Sequence, residues 1–351
     1  IVKMIFKGIL ITLFVELLTL GKSDTECPTV PTSPVSRILK ENPTFKIMQY
    51  NVEWFFIDYF AASNCPGDGC SWKNTSEAKT HLETVSKVIA ELSPDIVNFC
   101  EVEGCDELNQ LVLTLGADSG YKPYLKKGTD SATGQNVGMI ARLDPNVNLF
   151  RTDEKINYPI VGSKCGFTGA PSQTGVSKHY FTEFNFYGRN VLFVGAHFVA
   201  FPTDSARCAQ REGQAQVLQN VIYQYANKGY EIMVLGDFND FDGEIMDANN
   251  NKPTSRVLDI MKGKFGTYAG KYELITVEEK IPQKLRFSDW WDKNNDCVSA
   301  PSEFSLIDHI LVTPFLNDKI KKAYIYQGYA EFCGTYNSDH YPMIIELDAN
   351  I

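Results

Sequence analysis

Long apolar runs, basic clusters, internal repeats and histidines are all scarce in this 351-residue chain. The one long, mostly apolar stretch, Gly8 to Leu20, is shorter than the roughly 20 residues a helix needs to cross a bilayer, which argues against a membrane-spanning protein. No repeat or low-complexity tract is visible, which removes repeat architectures from consideration. Formal net charge is −10, and the nearest thing to a basic patch, Lys319-Ile320-Lys321-Lys322, reads as solvated surface. A protein that held long nucleic acid mainly by neutralising phosphates would show more than that. Acidity still leaves a nuclease open, because a metal ion can supply positive charge at a scissile phosphate.

What is present is a set of short polar clusters, each at the end of an apolar run. Asn51 follows FKIMQY, Glu101 follows DIVNFC, His197 follows VLFVGA, and Asp237-Phe238-Asn239 follows IMVLG. Ser338-Asp339-His340-Tyr341-Pro342 lies near the C-terminus, and Ile307-Asp308-His309 leads into ILV. Apolar runs of this length bounded by polar or turn residues read as buried strands. Side chains at the ends of adjacent strands converge on one rim, where clefts form. Carboxylates, amides and imidazoles gathered there point to a divalent-metal and proton-transfer site. Three of only five histidines fall in these clusters; His81 and His179 read as structural or peripheral.

The segments YNVEW, FCEVE, GAHF, GDFND, IDHILV and SDHYP, in that order, resemble the endonuclease/exonuclease/phosphatase superfamily, the deoxyribonuclease I-like phosphoesterases. They run from about residue 45 to the C-terminus, so the resemblance covers most of the chain. It implies an α/β (α+β) fold, a four-layer sandwich of two mixed β-sheets flanked by helices. It also implies Glu101 as principal metal ligand, Asn51 at the metal–phosphate end, and Asp339 as an additional metal-site carboxylate. Asp308 is implied as the partner of His340, and His197 as a contact to phosphate or to the leaving oxygen.

The residues support those roles on their own chemistry. A hard cation such as Mg2+, with Ca2+ or Mn2+ as alternatives, takes oxygen ligands and keeps several waters, so one or two carboxylates suffice. Taken alone, Glu101 would be a surface carboxylate after a strand. Asp237 and Asn239 supply an acceptor for an attacking water and a donor for the developing phosphorane, and in extended backbone their side chains point the same way. GDFNDFDG is equally good turn chemistry, to which Asp240 and Asp242 belong. A carboxylate beside His340 fixes its tautomer. His309 either joins the site or faces the opposite side of its strand. Glu53 and Glu103 sit two residues beyond motif positions without an assigned role. Arg207 and Arg211 open the helix after His197; Arg211 is the candidate for phosphate contact, and pairing with a carboxylate inside the fold is the alternative.

Lys3 and Lys7 before the apolar run, then Gly21 and Ser23, read as a signal peptide over residues 1–23, with an uncleaved anchor as the alternative. Residues 24–44, with Pro28, Pro31, Pro34 and Pro43, read as a Pro-rich linker or arm, and 45–351 as one catalytic domain. Nine cysteines fit a secreted, extracellular destination. Cys65 with Cys70 and Cys100 with Cys105 bracket short loops as local pairs, and Cys165 with Cys208 and Cys297 with Cys333 are further candidates. The sequence leaves the connectivity open, and Cys27, near the expected new N-terminus, is the choice for the odd thiol. Asn74-Thr75-Ser76 is a glycosylation sequon.

Helical spacing covers Ser76 to Leu92, Asp106 to Leu115 and Asp204 to Ala226. Strands are expected up to Asn51 and Glu101, over Asn136 to Arg142, Tyr180 to Phe186, Val191 to Ala196 and Glu231 to Leu235, and later over Leu306 to Val312, Ala323 to Gln327 and Met343 to Leu347. Two aromatic groups bear on substrate: Trp54, Phe55, Phe56, Tyr59, Phe60 and Trp72 in the first loop, and Trp290-Trp291 before Asp308. They suit base stacking, a lipid interface or ordinary packing. The expected activity is hydrolysis of phosphodiesters in nucleic acid by an activated water. A phospholipid phosphodiesterase of the neutral sphingomyelinase kind is the rival, and a non-catalytic binding protein is the third reading. No stable protein partner is implied.

Overall fold

The computed structural model describes residues 26–39, 43–57, 71–329 and 335–349; the expected leader lies outside them. In chain order the strands are β1 (Thr44–Phe55), β2 (Ile96–Val102), β3 (Lys122–Leu125), β4 (Asn136–Ala141), β5 (Ile156–Tyr158), β6 (Ser172–Thr174), β7 (Lys178–Phe186) and β8 (Arg189–His197). They continue as β9 (Glu231–Asp237), β10 (Ile275–Thr276), β11 (Asp289–Trp290), β12 (Phe304–Ser305), β13 (Asp308–Val312), β14 (Ile320–Ile325) and β15 (Met343–Asp348). The helices are α1 (Thr75–Leu92), α2 (Cys105–Leu115), α3 (Ser205–Ala226), α4 (Val257–Met261) and α5 (Pro314–Lys319).

Two sheets carry the fold, ordered β14-β15-β1-β2-β4-β3 and β10-β13-β9-β8-β7. Each is mixed: β1–β2 and β8–β9 run parallel, and the neighbouring pairs run antiparallel. Because side chains alternate along a strand, β8 sends Val191 and Phe193 between the sheets and Leu192 and Val194 outward against α3. The first sheet divides likewise, with Ile47 and Met139 turned inward and Met48, Val97 and Phe99 packed on α1 and α2. This is an α/β fold of mixed sheets flanked by helices.

The helices start where local chemistry permits. Asn74 caps α1 by accepting the Glu77 amide at 3.0 Å, and Asp204 caps α3 by accepting the Arg207 amide at 2.8 Å. Leu82, Val85, Ile89 and Leu92 then fall on the buried face of α1. No described helix is long and apolar enough to cross a membrane.

One polar thread runs through the apolar layer between the sheets. Tyr180 Oη donates to Asn98 Oδ1 (2.7 Å), Asn98 Nδ2 to Gln49 Oε1 (2.6 Å), and Gln49 Nε2 to Asp308 Oδ1 (3.0 Å). A buried network in which every member has a partner fixes how two surfaces register. Gly195 leaves the room for it, since a Cβ there would lie 2.3 Å from both Asn98 Oδ1 and Tyr180 Cε1.

The N-terminal segment is a packed arm. Arg37 donates to Asp144 Oδ1 (2.6 Å) and to the Gly120 carbonyl (2.8 Å). Cys27 is disulfide-bonded to Cys105 at the start of α2. Two cysteine expectations are therefore corrected: Cys27 is paired, and Cys100 is free and buried. The reason is geometric, since Cys100 points between the sheets, with Sγ 3.6 Å from the Ala196 carbonyl, while Cys105 lies on the helix outside. Cys165–Cys208 forms as expected. Cys297 is disulfide-bonded, whereas Cys333, Cys65 and Cys70 lie outside the described residues.

Candidate active site

Strand register assembles the site. Along one end of the five-stranded sheet, His197 of β8 pairs with Asp237 of β9, which pairs with Asp308 of β13. On the facing sheet Asn51 of β1 pairs with Cys100, and Glu101 follows where the β1–β2 register shifts. Glu101 has φ 68°, Glu53 φ 47° and Trp54 φ 48°, left-handed conformations that cost non-glycine residues about 1–2 kcal/mol each. Such strain clusters where structure over-determines a functional geometry.

Asn51 joins the two sheets. Its Nδ2 lies 3.3 Å from Glu101 Oε1, 3.1 Å from Asp237 Oδ2 and 3.4 Å from His340 Nε2. The second Glu101 oxygen accepts the Trp54 amide at 3.0 Å. His340 Nδ1 donates to Asp308 Oδ2 at 2.7 Å, and Ser288 Oγ donates to the same oxygen at 2.9 Å. The imidazole's other nitrogen, Nε2, faces Asp289 (3.6 Å), Asp339 (3.9 Å) and Asp237 (4.0 Å). His197 Nε2 stands 3.6 Å from Asp237 Oδ2 on the other flank.

Electrostatics mark the cluster as short of positive charge. Burial pushes the Asp237 carboxyl up to about 8, and nearby Asp308 adds to the shift. Burial likewise raises Glu53 to about 7, and it raises Asp289 and Asp339. Burial would lower His340, but Asp308, Asp339 and Asp289 hold it well above the usual histidine range. Burial, with Lys178 adding, holds His197 well below it. A divalent cation would relieve this crowding of carboxylates, and the donor set of carboxylate and amide oxygens suits a hard ion. Asp289, Asp339 and His340 present ligand atoms within 4.8 Å of one another, an arrangement compatible with divalent coordination.

The structure thus brings together Asn51, Glu101, His197, Asp237, Asp308, Asp339 and His340. Asn239 stands differently from its expectation. At φ 49° it is not extended, its amide N–H donates to Asp237 Oδ1 (2.8 Å), and its Nδ2 reaches the Phe198 carbonyl (3.3 Å). The amide side chain touching Asp237 is that of Asn51. Arg211 as a phosphate contact is corrected. It is fully buried, its Nε donates to Asp240 Oδ2 (3.1 Å), and its other nitrogens hold the carbonyls of residues 199–202. His309 faces away from Asp308, as strand alternation requires, and bonds the Asp240 carbonyl at 2.9 Å.

Of the aromatic residues, Phe55, Phe56, Trp72 and Trp290 are core, while Trp54 is half-buried and Trp291 exposed; Tyr59 and Phe60 lie outside the described residues. Glu53 gains a place the motifs did not assign, accepting the Asp339 amide at 3.0 Å. Asp289, Ser288 and Lys178 escaped the sequence reading altogether. The only signal for Asp289 was its position beside the tryptophan pair; its bridge to His340 is a tertiary contact.

The chain is similar to several solved structures. A Leptotrichia buccalis endonuclease/exonuclease/phosphatase family protein shares 15% identity, covering 86% of this chain and 99% of its own, at a TM-score of 0.51. A Bacteroides thetaiotaomicron protein of the same family shares 17% identity over 87% of this chain and 97% of its own, at 0.48. A Bacteroides thetaiotaomicron mannosyl-6-phosphatase shares 17% over 86% of this chain and 99% of its own, at 0.49. At 15% identity the likeness to the Leptotrichia buccalis protein is one of fold. No curated protein matches the chain in sequence. Residues 48–340, which contain every one of the converging side chains, match the Endonuclease/Exonuclease/phosphatase family, and the chain belongs to that family.

Proposed function

We propose that the protein is a secreted, metal-dependent phosphodiesterase that hydrolyses nucleic acid. The observation that carries the reading is the union of Glu101, Asp237 and His340 through Asn51, with Asp308 behind His340. Glu101, Asp339 and Asp289 are the carboxylates that would hold a divalent ion such as Mg2+, whose contribution is to neutralise phosphate charge. Asp237, ionised once a cation offsets the neighbouring carboxylates that raise it, would accept the proton of the attacking water. As the new P–O bond forms the ester P–O bond breaks, and the leaving oxygen takes the Nε2 proton of His340, held protonated by Asp308, while Asn51 Nδ2 donates to a phosphoryl oxygen. Asn239 supports Asp237 through its main-chain amide. The apolar clusters between and outside the sheets support a four-layer, deoxyribonuclease I-like stacking. The disulfides Cys27–Cys105 and Cys165–Cys208 support an extracellular destination.

The test is nicking of supercoiled plasmid with Mg2+ titrated, for wild type and Glu101→Gln. Nicking that is abolished by chelator, and that needs far more Mg2+ in the variant, is the expected result. Release of choline phosphate from sphingomyelin vesicles without nicking would transfer the site to lipid chemistry. Unchanged activity in Asp237→Ala would remove the enzyme reading.

A further inference from the structure

The row His197–Asp237–Asp308 has a fourth member. Lys178 opens β7 and pairs with His197 in antiparallel register, so it extends the row by one strand on the same rim. Its ammonium is buried, a costly state that needs partners. It finds Gln135 Oε1 at 3.1 Å, His197 Nε2 at 3.5 Å and Asp130 Oδ2 at 3.8 Å. Gln135 is neutral, and His197 carries no counter-charge. Asp130, at that distance, is the one carboxylate paired with it among the described residues.

Beside this ammonium a cavity of about 560 Å³ opens directly against Glu101 and His197. That volume lies within the roughly 300–1,000 Å³ typical of small-ligand sites. It is sufficient for one nucleoside. Arg207, Gln135 and Trp54 also line it. Phe201 lies at the mouth, 65% exposed at φ 68°. A solvated ring in a left-handed conformation is not there for core packing. Aromatic side chains and a cation lining one cavity suit a planar ring joined to phosphate.

We propose that this cavity is a nucleoside subsite: Lys178 contacts the phosphate whose ester is cut, Arg207 the next phosphate, and Phe201 and Trp54 enclose the base between them. The proposal rests on the phosphodiesterase reading above and names the part of the substrate that reading leaves open.

Two readouts separate the two ideas. Thymidine 5′-(p-nitrophenyl phosphate) and bis(p-nitrophenyl) phosphate release the same chromophore, but only the first carries a nucleoside. With Mg2+, wild type is expected to favour the first by tenfold or more in kcat/KM, and Phe201→Ala to bring the ratio toward one. Binding of thymidine 3′,5′-bisphosphate, followed by tryptophan fluorescence with chelator present, needs no turnover. Lys178→Met is expected to weaken it roughly tenfold or more, as loss of a charge-assisted hydrogen bond does, and Lys178→Arg to recover part of it. Thermal melts show whether each variant folds, and exposed Phe201 keeps the test valid if Lys178→Met does not. Hydrolysis of both esters without preference, or bisphosphate affinity within twofold of wild type in Lys178→Met and Phe201→Ala, would overturn the subsite and leave the phosphodiesterase standing. Bisphosphate binding lost in the variants, with no ester hydrolysed by wild type, would support the subsite and overturn the phosphodiesterase.

Discussion

Replacing Asp308 by asparagine tests the core of the site with almost no change of shape. Three donors converge on the Asp308 carboxylate: Gln49 Nε2 on Oδ1, and Ser288 Oγ and His340 Nδ1 on Oδ2. An amide offers one acceptor oxygen, so the variant leaves either Gln49 or His340 facing an N–H group. It also removes the negative charge that, after burial is set against it, does most to keep His340 protonated. Two unit charges about 4 Å apart attract by about 4 kcal/mol at an effective dielectric near 20. If that attraction sustains the imidazolium in the transition state, its loss lowers kcat by about a thousandfold. The assay is steady-state hydrolysis of a p-nitrophenyl diester at saturating Mg2+, alongside a thermal melt. Ser288→Ala, which deletes only one neutral donor, is expected to cost about tenfold or less. A folded Asp308→Asn enzyme within threefold of wild-type kcat would refute the assignment of His340 as the proton donor.

Three further expectations follow from the fold. His81 is fully buried, with Nε2 2.6 Å from the Val52 carbonyl and Nδ1 2.8 Å from the Tyr336 carbonyl, and burial outweighs these two acceptors and lowers it to about 4. A histidine depressed in the folded state stabilises fully above its unfolded value, and that contribution is lost as pH falls from about 6.5 toward 4, in all about 3 kcal/mol. Urea melts at pH 8 and pH 4.5 should therefore show a larger fall for wild type than for His81→Gln; equal falls would discount the burial of a neutral ring. Gly195→Ala forces a Cβ against Asn98 and Tyr180 and should cost about 2 kcal/mol or more in chemical denaturation. A melt indistinguishable from wild type would mean the polar thread can shift. Reducing or mutating Cys27–Cys105, which spans 78 residues, should cost about 4–5 kcal/mol if chain entropy dominates, measured as the change in urea unfolding free energy of Cys27→Ser.

Much of the site was legible because its members sit at the ends of apolar runs, where strand chemistry announces itself locally. Asn51, Glu101, His197 and Asp237 could be placed that way. The helices over 76–92 and 204–226 were visible from spacing, and they begin within one residue of those bounds, after the caps Asn74 and Asp204. The short strands β3, β5 and β6 were not, because a few residues carry too little pattern to separate strand from loop.

Local order along the chain thus determined the elements, their buried faces and the family motifs, since periodicity, capping and turn chemistry act over a few neighbouring residues. Tertiary structure alone decided which distant groups meet. It chose Cys27 over Cys100 as the partner of Cys105, because a cysteine facing the space between the sheets cannot reach one on the helix outside. It turned Arg211 inward onto Asp240 and His309 away from Asp308. It also brought Asp289 to His340 and Lys178 to His197, across 51 and 19 positions of sequence, through strand pairings that no local pattern encodes.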